Sequence, residues 1–238
     1  MHRSSYTRMS AFRDAYLGSF ADQPLKILDV GSGSIGGDAG YRPLFQTAPW
    51  EYVGLDVAAG PNVDIVATNP YEWSAIADGA FDVVISGQAF EHIEWPWLTI
   101  REIARITRGN GLVAITAPSA GPVHRFPLDC WRYYPDGLPA LASYGGFRLL
   151  ERFWDNGYAY PENAMWGDAF VVLQRPARTH EAPGPISGPL ENRRALSLND
   201  DDALHQLPAW RVKARLIAAS LRRAYEIYRA PLSKLTRH

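Results

Sequence analysis

Apolar residues in this chain form short unbroken runs that alternate with segments of helical periodicity. Residues 97–107 have helical spacing and stop at Gly109-Asn110-Gly111, a helix-ending and turn signal. Near-continuous apolar strands alternating with helices are typical of a parallel sheet covered on both faces. The pattern therefore predicts an α/β fold with five buried strands, at residues 25–30, 51–55, 63–67, 81–86 and 112–117.

The segments on either side of these strands have different patterns. Met9, Phe12, Tyr16 and Phe20 recur at helical spacing and predict an amphipathic helix leading into the domain. Residues 119–146 are loop-like, aromatic and rich in proline. Beyond them, two apolar segments predict an antiparallel hairpin at the edge of the sheet, at residues 147–154 and 169–174.

The composition changes after residue 176. Prolines among small and polar residues predict a flexible linker, and residues 208–229 predict a basic amphipathic helix. That helix either packs on the domain with a solvated charged face or contacts a membrane surface or a partner protein. We therefore divide the chain into a domain of residues 1–176 and a tail of residues 177–238.

Length and charge narrow the possible function classes. The 238 residues suffice for one α/β domain with a tail, and a formal net charge of −1 gives no overall attraction to nucleic acid. With a single cysteine, Cys130, no intramolecular disulfide can form. No apolar run is long enough to span a bilayer, and no signal-peptide pattern follows the first ten residues. We expect a cytoplasmic protein without a nucleic-acid partner.

A glycine-rich run, Leu28-Asp29-Val30-Gly31-Ser32-Gly33-Ser34-Ile35-Gly36-Gly37, lies where a strand should pass into a helix. Glycines there permit a tight turn and a close approach of ligand to backbone, and N–H groups at a helix start bind anionic groups. Asp56 ends the next strand beside this turn, where a carboxylate can accept both hydroxyls of a ribose.

The same glycines also satisfy G-x-G-x-x-G, so a nicotinamide dinucleotide is a competing ligand. Asp29 counts against it, because dinucleotide fingerprints prefer a small or apolar residue at that place. The chain also lacks the Tyr-x-x-x-Lys pair of short-chain dehydrogenases, and no Gly-Lys-Ser/Thr follows to make a phosphate-binding P-loop.

The run from Leu28 to Gly37 resembles motif I of the class I methyltransferases that use S-adenosylmethionine. Residues 52–56 resemble their motif II. Phe81–Ser86 followed by Phe90-Glu91-His92-Ile93 resembles the fourth strand of type 11 methyltransferases, and residues 105–111 resemble the turn into their fifth strand. The resemblance covers residues 25–118. It implies a Rossmann-like three-layer sandwich whose seven-stranded sheet is parallel except for one late strand, with S-adenosyl-L-methionine as cofactor.

The resemblance also implies which residues bind the cofactor. Asp56 should hold the ribose hydroxyls, Val57 should lie beside the adenine, and Gln88 should face the methionine end. Asn69 stands where many relatives have an acidic residue, but its amide oxygen can still accept a bond from the adenine amino group. The full predicted set is Asp29, Gly31, Ser32, Gly33, Asp56, Val57, Asn69 and Gln88.

Candidate catalytic groups follow the fourth and fifth strands. His92 and His124 titrate near neutrality and suit a general base for a hydroxyl acceptor, although His92 is equally suited to a scaffold role and His124 to a backbone contact. Asp129 either orients a histidine, binds a substrate hydroxyl or caps a short helix at residues 130–133. We expect no metal ligands.

Residues 124–137 resemble a subgroup of bacterial methyltransferases, some of which occur with enzymes that build surface glycans. The sequence thus favours an enzyme that methylates a hydroxyl of a small-molecule or glycan acceptor. The alternatives are a non-catalytic scaffold that binds S-adenosylmethionine and a nicotinamide-binding Rossmann protein.

Overall fold

The computed structural model describes residues 3–34, 39–155, 166–177 and 184–190. The predicted tail helix and residues 35–38 of the glycine-rich run lie outside this part. The helices are α1 (Arg3–Phe12), α2 (Arg42–Phe45), α3 (Pro96–Ile106) and α4 (Gly137–Tyr144). The strands are β1 (Lys26–Val30), β2 (Glu51–Asp56), β3 (Ile65–Val66), β4 (Phe81–Gly87), β5 (Thr107–Pro118), β6 (Arg148–Trp154) and β7 (Asp168–Gln174).

The seven strands form one sheet in the order β3-β2-β1-β4-β5-β7-β6. Strand β7 runs antiparallel to β5 and β6, and the other pairs are parallel. The predicted sheet and edge hairpin are therefore confirmed. Because the chain moves outward from β1 to β3 and then crosses to β4, the strand order reverses between β1 and β4. Ligands of open α/β sheets bind at the carboxyl ends of the strands beside such a reversal.

Both faces of the sheet are covered, which gives three layers. On one face, α3 and α4 pack through Ile100, Ile103 and Leu138 against β-strand residues such as Val84 and Val113. On the other face, α1 and the π-helical turn Arg13–Leu17 bury Met9, Phe12 and Tyr16, as their spacing predicted. Each face thus carries a separate apolar cluster, because successive residues of a strand point to opposite sides.

A buried ion cluster fixes α1 to the far strands. Arg8 lies 2.7 Å from an oxygen of Asp155 and 3.4 Å from Asp168, and its guanidinium stacks 3.5 Å from the ring centre of Phe153. All three charged side chains are almost fully buried, so each charge depends on the others. Asp168 starts β7 beside the carboxyl end of β5, so this cluster also supports one wall of the ligand edge.

Three local predictions were wrong. The helix ends at Ile106, but Gly109-Asn110-Gly111 is not a turn between helix and strand. It lies inside β5, where the pairing with β4 jumps from Phe81↔Thr107 to Val83↔Leu112. Asn110 takes a φ of +65° there and donates its N–H to the Arg175 carbonyl at 2.8 Å. Because the residue that follows β7 supplies this partner, a stretch that reads locally as a turn becomes an irregular strand.

The other two errors concern the region after β5. The residues predicted to be loop-like contain α4, whose apolar side chains Leu138 and Ala142 pack on the sheet. Residues 130–133, by contrast, form no helix, so Asp129 is not a helix cap. Strand β3 exists as predicted but covers only Ile65–Val66 of the predicted residues 63–67, a difference in length and not in kind.

Part of the predicted linker lies against the domain. Ile186 is 2% exposed and joins the apolar cluster under α1. The Gln174 side chain donates to the Gly188 carbonyl at 2.9 Å, and Arg148 donates to the Leu190 carbonyl at 2.7 Å. Residues 184–190 therefore pack against the domain at the end of β7 and the start of β6, while the domain boundary at residue 176 stays a prediction. In the part of the chain that the structure describes, no helix has the length and apolar character needed to cross a membrane.

Candidate active site

A cavity of about 840 Å³ opens at the carboxyl ends of β1, β2 and β4. The glycine-rich turn and Asp56 line one end of it, and His92 and His124 line the other. This volume is in the range of sites for cofactors and small molecules.

The glycine-rich turn is fixed to the end of β2. Gly31 has a φ of +78°, a conformation that side chains disfavour, and its N–H and that of Ser32 donate to the Leu55 carbonyl at 2.8 and 3.1 Å. The Ser32 hydroxyl donates to the Asn62 carbonyl at 3.1 Å. Residues 31–34 form no helix, so in the described part of the run the turn itself, rather than a helix start, presents the backbone.

Asp56 lies against this turn as predicted. Its Oδ2 accepts the Gly33 N–H at 2.8 Å, and its Oδ1 accepts the N–H groups of Val57 at 2.7 Å and Ala58 at 3.3 Å. A carboxylate has about four lone-pair positions, so these bonds leave about one for a ligand. Accepting both hydroxyls of a ribose therefore requires one of the backbone bonds to lengthen. The first carbon of a side chain at position 33 would lie 2.7 Å from Asp56 Oδ2, which is too close, so this position requires glycine.

Asp29 carries a buried carboxyl at the same end of the cavity. Its Oδ2 accepts the Tyr52 hydroxyl at 2.5 Å, and its Oδ1 has no hydrogen-bond partner among the described residues. Burial raises the pKa of Asp29 to about 7, an effect that the Tyr52 bond opposes and the nearby Asp56 charge increases. A buried oxygen without a partner at a cavity wall suits a cationic ligand group.

The predicted adenine contacts are met unequally. Val57 lines the cavity and is 58% exposed, which leaves an apolar surface for a flat ring. Asn69 is turned away: its Oδ1 accepts the Tyr71 N–H at 2.9 Å in a local turn, and its neighbours Thr68 and Pro70, rather than Asn69 itself, line the cavity. The structure thus offers no support for the predicted contact between Asn69 and an adenine amino group.

Gln88 lies at the cavity wall just beyond β4, as predicted. It takes a φ of +57°, which is uncommon for a residue with a side chain. Its Nε2 donates to Asp168 at 3.2 Å, and its N–H donates to the Thr116 carbonyl at 2.9 Å. Anchors on two further strands thus hold Gln88 in this conformation. Such strain concentrates at functional sites.

The other end of the cavity brings together Glu91, His92 and His124. Glu91 Oε1 lies 3.6 Å from His92 Nε2 and 3.9 Å from His124 Nε2. The Glu91 carboxyl is 1% exposed, and both of its oxygens lack a hydrogen-bond partner among the described residues. Burial raises the pKa of Glu91 to about 8, although its own backbone N–H and Arg132 oppose the shift. Burial also lowers the pKa of His124.

Asp129 positions His124 from behind and does not line the cavity. Its Oδ2 accepts the main-chain N–H of His124 at 2.7 Å. The same oxygen lies 3.4 Å from the ring nitrogen Nδ1 of His124. Arg132 grips the same carboxylate at 2.6 and 2.9 Å, so Arg132 holds the pKa of Asp129 down at about 2. Of its two functional possibilities, Asp129 therefore fits orienting a histidine and not binding a substrate hydroxyl.

Comparison with known proteins shows which family this chain resembles. A family model described as a methyltransferase domain matches residues 28–115. An uncharacterized methyltransferase of Mycolicibacterium gilvum is 28% identical over 159 residues, which cover 62% of this chain and 57% of the relative. Residues 28–115 are therefore similar to a methyltransferase domain.

Solved structures agree with the fold of this methyltransferase domain. A putative sarcosine dimethylglycine methyltransferase from Galdieria sulphuraria superposes with a TM-score of 0.55 at 16% identity, covering 73% of this chain and 88% of that one. A 1,6-didemethyltoxoflavin-N1-methyltransferase from Burkholderia thailandensis, solved with S-adenosylhomocysteine, gives a TM-score of 0.53 at 13% identity, covering 73% and 79%. The resemblance seen in the sequence is thus confirmed, and it indicates S-adenosylmethionine as the cofactor.

The described residues of the methyltransferase domain fit that cofactor. The glycine turn presents backbone to the cavity, Asp56 retains a lone pair, and Asp29, whose Oδ1 has no hydrogen-bond partner among the described residues, lines the same end of the cavity, where an ammonium group would be stabilised. These observations support the predicted cofactor residues other than Asn69.

Sequence reasoning missed several residues of the site. Glu91 stood in a quoted motif beside His92, but nothing local shows that its carboxyl is buried. Tyr41 lines the cavity, donates to or accepts from Ser5 at 2.5 Å, and packs so closely on Gly87 that a side chain there would collide with its ring. The glycine at position 87 was the one available signal for this contact.

Proposed function

We propose that this protein transfers the methyl group of S-adenosylmethionine to a hydroxyl of a small-molecule or glycan acceptor. One observation carries the proposal: a single cavity runs from the glycine turn and Asp56 to the group of Glu91, His92 and His124. A cofactor and an acceptor bound at its two ends would share one continuous space, in which the methyl group and the acceptor atom can meet.

The sulfonium of the cofactor makes its methyl group electrophilic and so supplies the chemistry. The protein has to orient the acceptor and remove the hydroxyl proton. Three features support this role for the histidine end. His124 has a lowered pKa, so its imidazole is neutral near pH 7 and holds a lone pair. Asp129 holds the backbone of His124 by accepting its main-chain N–H, and the His124 ring lines the cavity, where a ligand can reach it.

Aromatic side chains at the mouth of the cavity support the acceptor class. Phe126 is 50% exposed and packs edge-on against both histidines, with ring centres 5.9 Å from His92 and 5.7 Å from His124. Tyr71 lines the cavity and packs against Trp95 in a tilted arrangement, with ring centres 4.9 Å apart. Exposed rings of this kind stack on sugars and flat molecules. They favour such an acceptor over an extended macromolecule.

The contact of the predicted helix at residues 208–229 with a membrane or a partner protein lies outside the described residues and stays a prediction. The absence of a nucleic-acid partner also stays a prediction.

The first test is calorimetric titration of the purified protein with S-adenosylhomocysteine, with NAD as the competing ligand. We expect binding of S-adenosylhomocysteine alone, weakened at least about tenfold by Asp56→Ala, because that change removes the carboxylate that faces the ribose. Asp22→Asn, an exposed substitution far from the cavity, is the matched control. Equal affinity of wild type and Asp56→Ala would show that the ribose assignment is wrong.

The second test is transfer of labelled methyl groups to a cell extract, followed by mass spectrometry of the products. We expect O-methylated small molecules or glycans, and we expect His124→Ala to lower turnover about 10²-fold or more without changing the affinity for S-adenosylhomocysteine. Binding without turnover on any extract would identify a non-catalytic binder instead. Full turnover in His124→Ala would remove this residue from the reaction.

A further inference from the structure

Two imidazoles and a carboxyl converge on one point of the cavity wall. Glu91 and His92 follow β4, and His124 reaches the same place from the loop after β5. Their ligand atoms, one from each residue, all lie within 4.8 Å of one another. We propose that Glu91, His92 and His124 form a binding site for one divalent transition-metal ion of the Zn²⁺ class.

Two of the three ligand spacings suit such an ion after a small contraction, and the third is no longer than 4.8 Å. Ligands at about 2.0–2.1 Å from a tetrahedral Zn²⁺ stand roughly 3.3–3.4 Å apart. Glu91 Oε1 lies 3.6 Å from His92 Nε2 and 3.9 Å from His124 Nε2. Moving each atom by a few tenths of an ångström closes these two edges. The set of two histidines and one carboxylate is one that Zn²⁺ and Fe²⁺ use in sites with open positions.

The His92 ring already presents the correct nitrogen. His92 Nδ1 lies 2.5 Å from the Leu128 carbonyl, a partner that can only accept, so Nδ1 carries the proton and Nε2 keeps its lone pair. His124 Nδ1 lies 3.4 Å from both the Asp129 carboxylate, which accepts, and the Arg132 guanidinium, which donates, so these neighbours do not select one tautomer of His124. Metal-binding histidines are oriented in this way by a carbonyl or carboxylate on the other ring nitrogen.

Glu91 supplies an independent observation. Its carboxyl is 1% exposed, and neither oxygen has a hydrogen-bond partner among the residues that the structure describes. Buried carboxyls are normally paired or bound to a metal, because the charge is otherwise far from water. A cation between Glu91 and the two imidazoles would provide the missing partner. The alternative is a proton shared within the group, which requires no metal and is an outcome of the test below.

For its role in the reaction, this inference rests on the proposed function. A bound ion would occupy the Nε2 lone pairs, so His124 would then act as a ligand and not accept the hydroxyl proton. An acceptor hydroxyl at an open position of the ion would become more acidic and lose its proton to solvent. The sequence predicted no metal site, because Glu91 and His124 come together only in the fold.

The test is titration of Zn²⁺ and Co²⁺ into chelator-treated full-length protein, without cofactor, by calorimetry, with native mass spectrometry for the number of ions. We expect one ion per chain. Glu91→Gln and His124→Ala should each weaken binding at least about tenfold, whereas Glu94→Gln, the same chemical change at an exposed residue of the same loop, should leave it within about twofold. Cys130→Ser should also leave it unchanged, because the exposed thiol is outside the group.

Melting curves in chelator verify that each variant is folded. If Glu91→Gln does not fold, His92→Ala takes its place as the second ligand variant. Absence of binding below about 100 µM in folded wild-type protein, or equal binding in the folded variants, would overturn the metal site and leave the shared proton. Titration with S-adenosylhomocysteine separates the two proposals. Cofactor binding without metal binding overturns only this inference, and metal binding without cofactor binding overturns only the proposed function.

Discussion

Asp29→Asn should stabilise the protein at alkaline pH and weaken its binding of cofactor. Asp29 is 2% exposed, and burial raises its pKa from 3.8 to about 7. In the folded state the carboxyl therefore stays protonated between these two values, whereas in the unfolded chain it is ionised. The unfolded state binds fewer protons in this window, so stability falls as pH rises from about 4 to about 7 and then levels off.

The magnitude follows from the two pKa values. A difference of about 3, at about 1.4 kcal/mol for each pKa unit, gives about 4 kcal/mol of lost stability once Asp29 is ionised. Most of this loss falls between pH 5 and pH 8. Asparagine cannot ionise, and its amide oxygen can still accept the Tyr52 hydroxyl. The stability advantage of Asp29→Asn should thus be about 2–3 kcal/mol larger at pH 8 than at pH 5.

The assay is urea unfolding of both proteins at pH 5 and pH 8, with calorimetric titration of S-adenosylhomocysteine at pH 8. Because the unpartnered Asp29 oxygen is proposed to meet the ammonium group of the ligand, affinity should fall at least about tenfold. Asp22→Asn, at an exposed position, is the control for a general effect of charge. A stability difference that does not change with pH would refute the burial argument, and an unchanged affinity would refute the ammonium contact.

Three further substitutions test other parts of the structure. Gly33→Ala should lower the affinity for S-adenosylhomocysteine about tenfold in calorimetry, because the added carbon would meet Asp56 Oδ2 at 2.7 Å and displace it; unchanged affinity would contradict this. Arg8→Ala should cost about 3–5 kcal/mol in urea unfolding, because it leaves two buried carboxylates without their cation, and a loss below 1 kcal/mol would mean that water replaces it. Ile186→Ala should lower stability by about 2 kcal/mol, since Ile186 is 2% exposed, whereas a mobile linker would show no loss in the same assay.

The cofactor end of the site could be predicted well because its signals are local. The turn at Gly31 and Gly33 needs glycine for its backbone, and Asp56 follows directly from the end of a strand. Parallel strands bring their carboxyl ends to one edge, so these residues had to meet wherever the strands paired. The Asn69 contact stays a prediction, and the structure shows why local signals do not support it: the Asn69 oxygen accepts the Tyr71 N–H, two residues away.

The acceptor end could be predicted only in part. His92 and His124 were identified as candidates, but their approach to Glu91 depends on the path of the loop after β5. That path is fixed by the grip of Arg132 on Asp129, together with the Cys130 N–H donating to the Glu91 carbonyl at 2.7 Å. Similarly, Gln88 is held by Asp168, 80 residues further along the chain.

The sequence by itself determined the fold class, the order of most elements and the glycine turn with its carboxylate. Apolar periodicity and backbone requirements act over a few residues, so they can be read directly from neighbouring letters. Only the tertiary structure decided that the buried Glu91 carboxyl has no hydrogen-bond partner among the described residues, that two histidines face it, and that residues 184–190 pack against the domain. Burial and the convergence of side chains arise from contacts between distant segments, and the pattern along one strand or loop does not contain them.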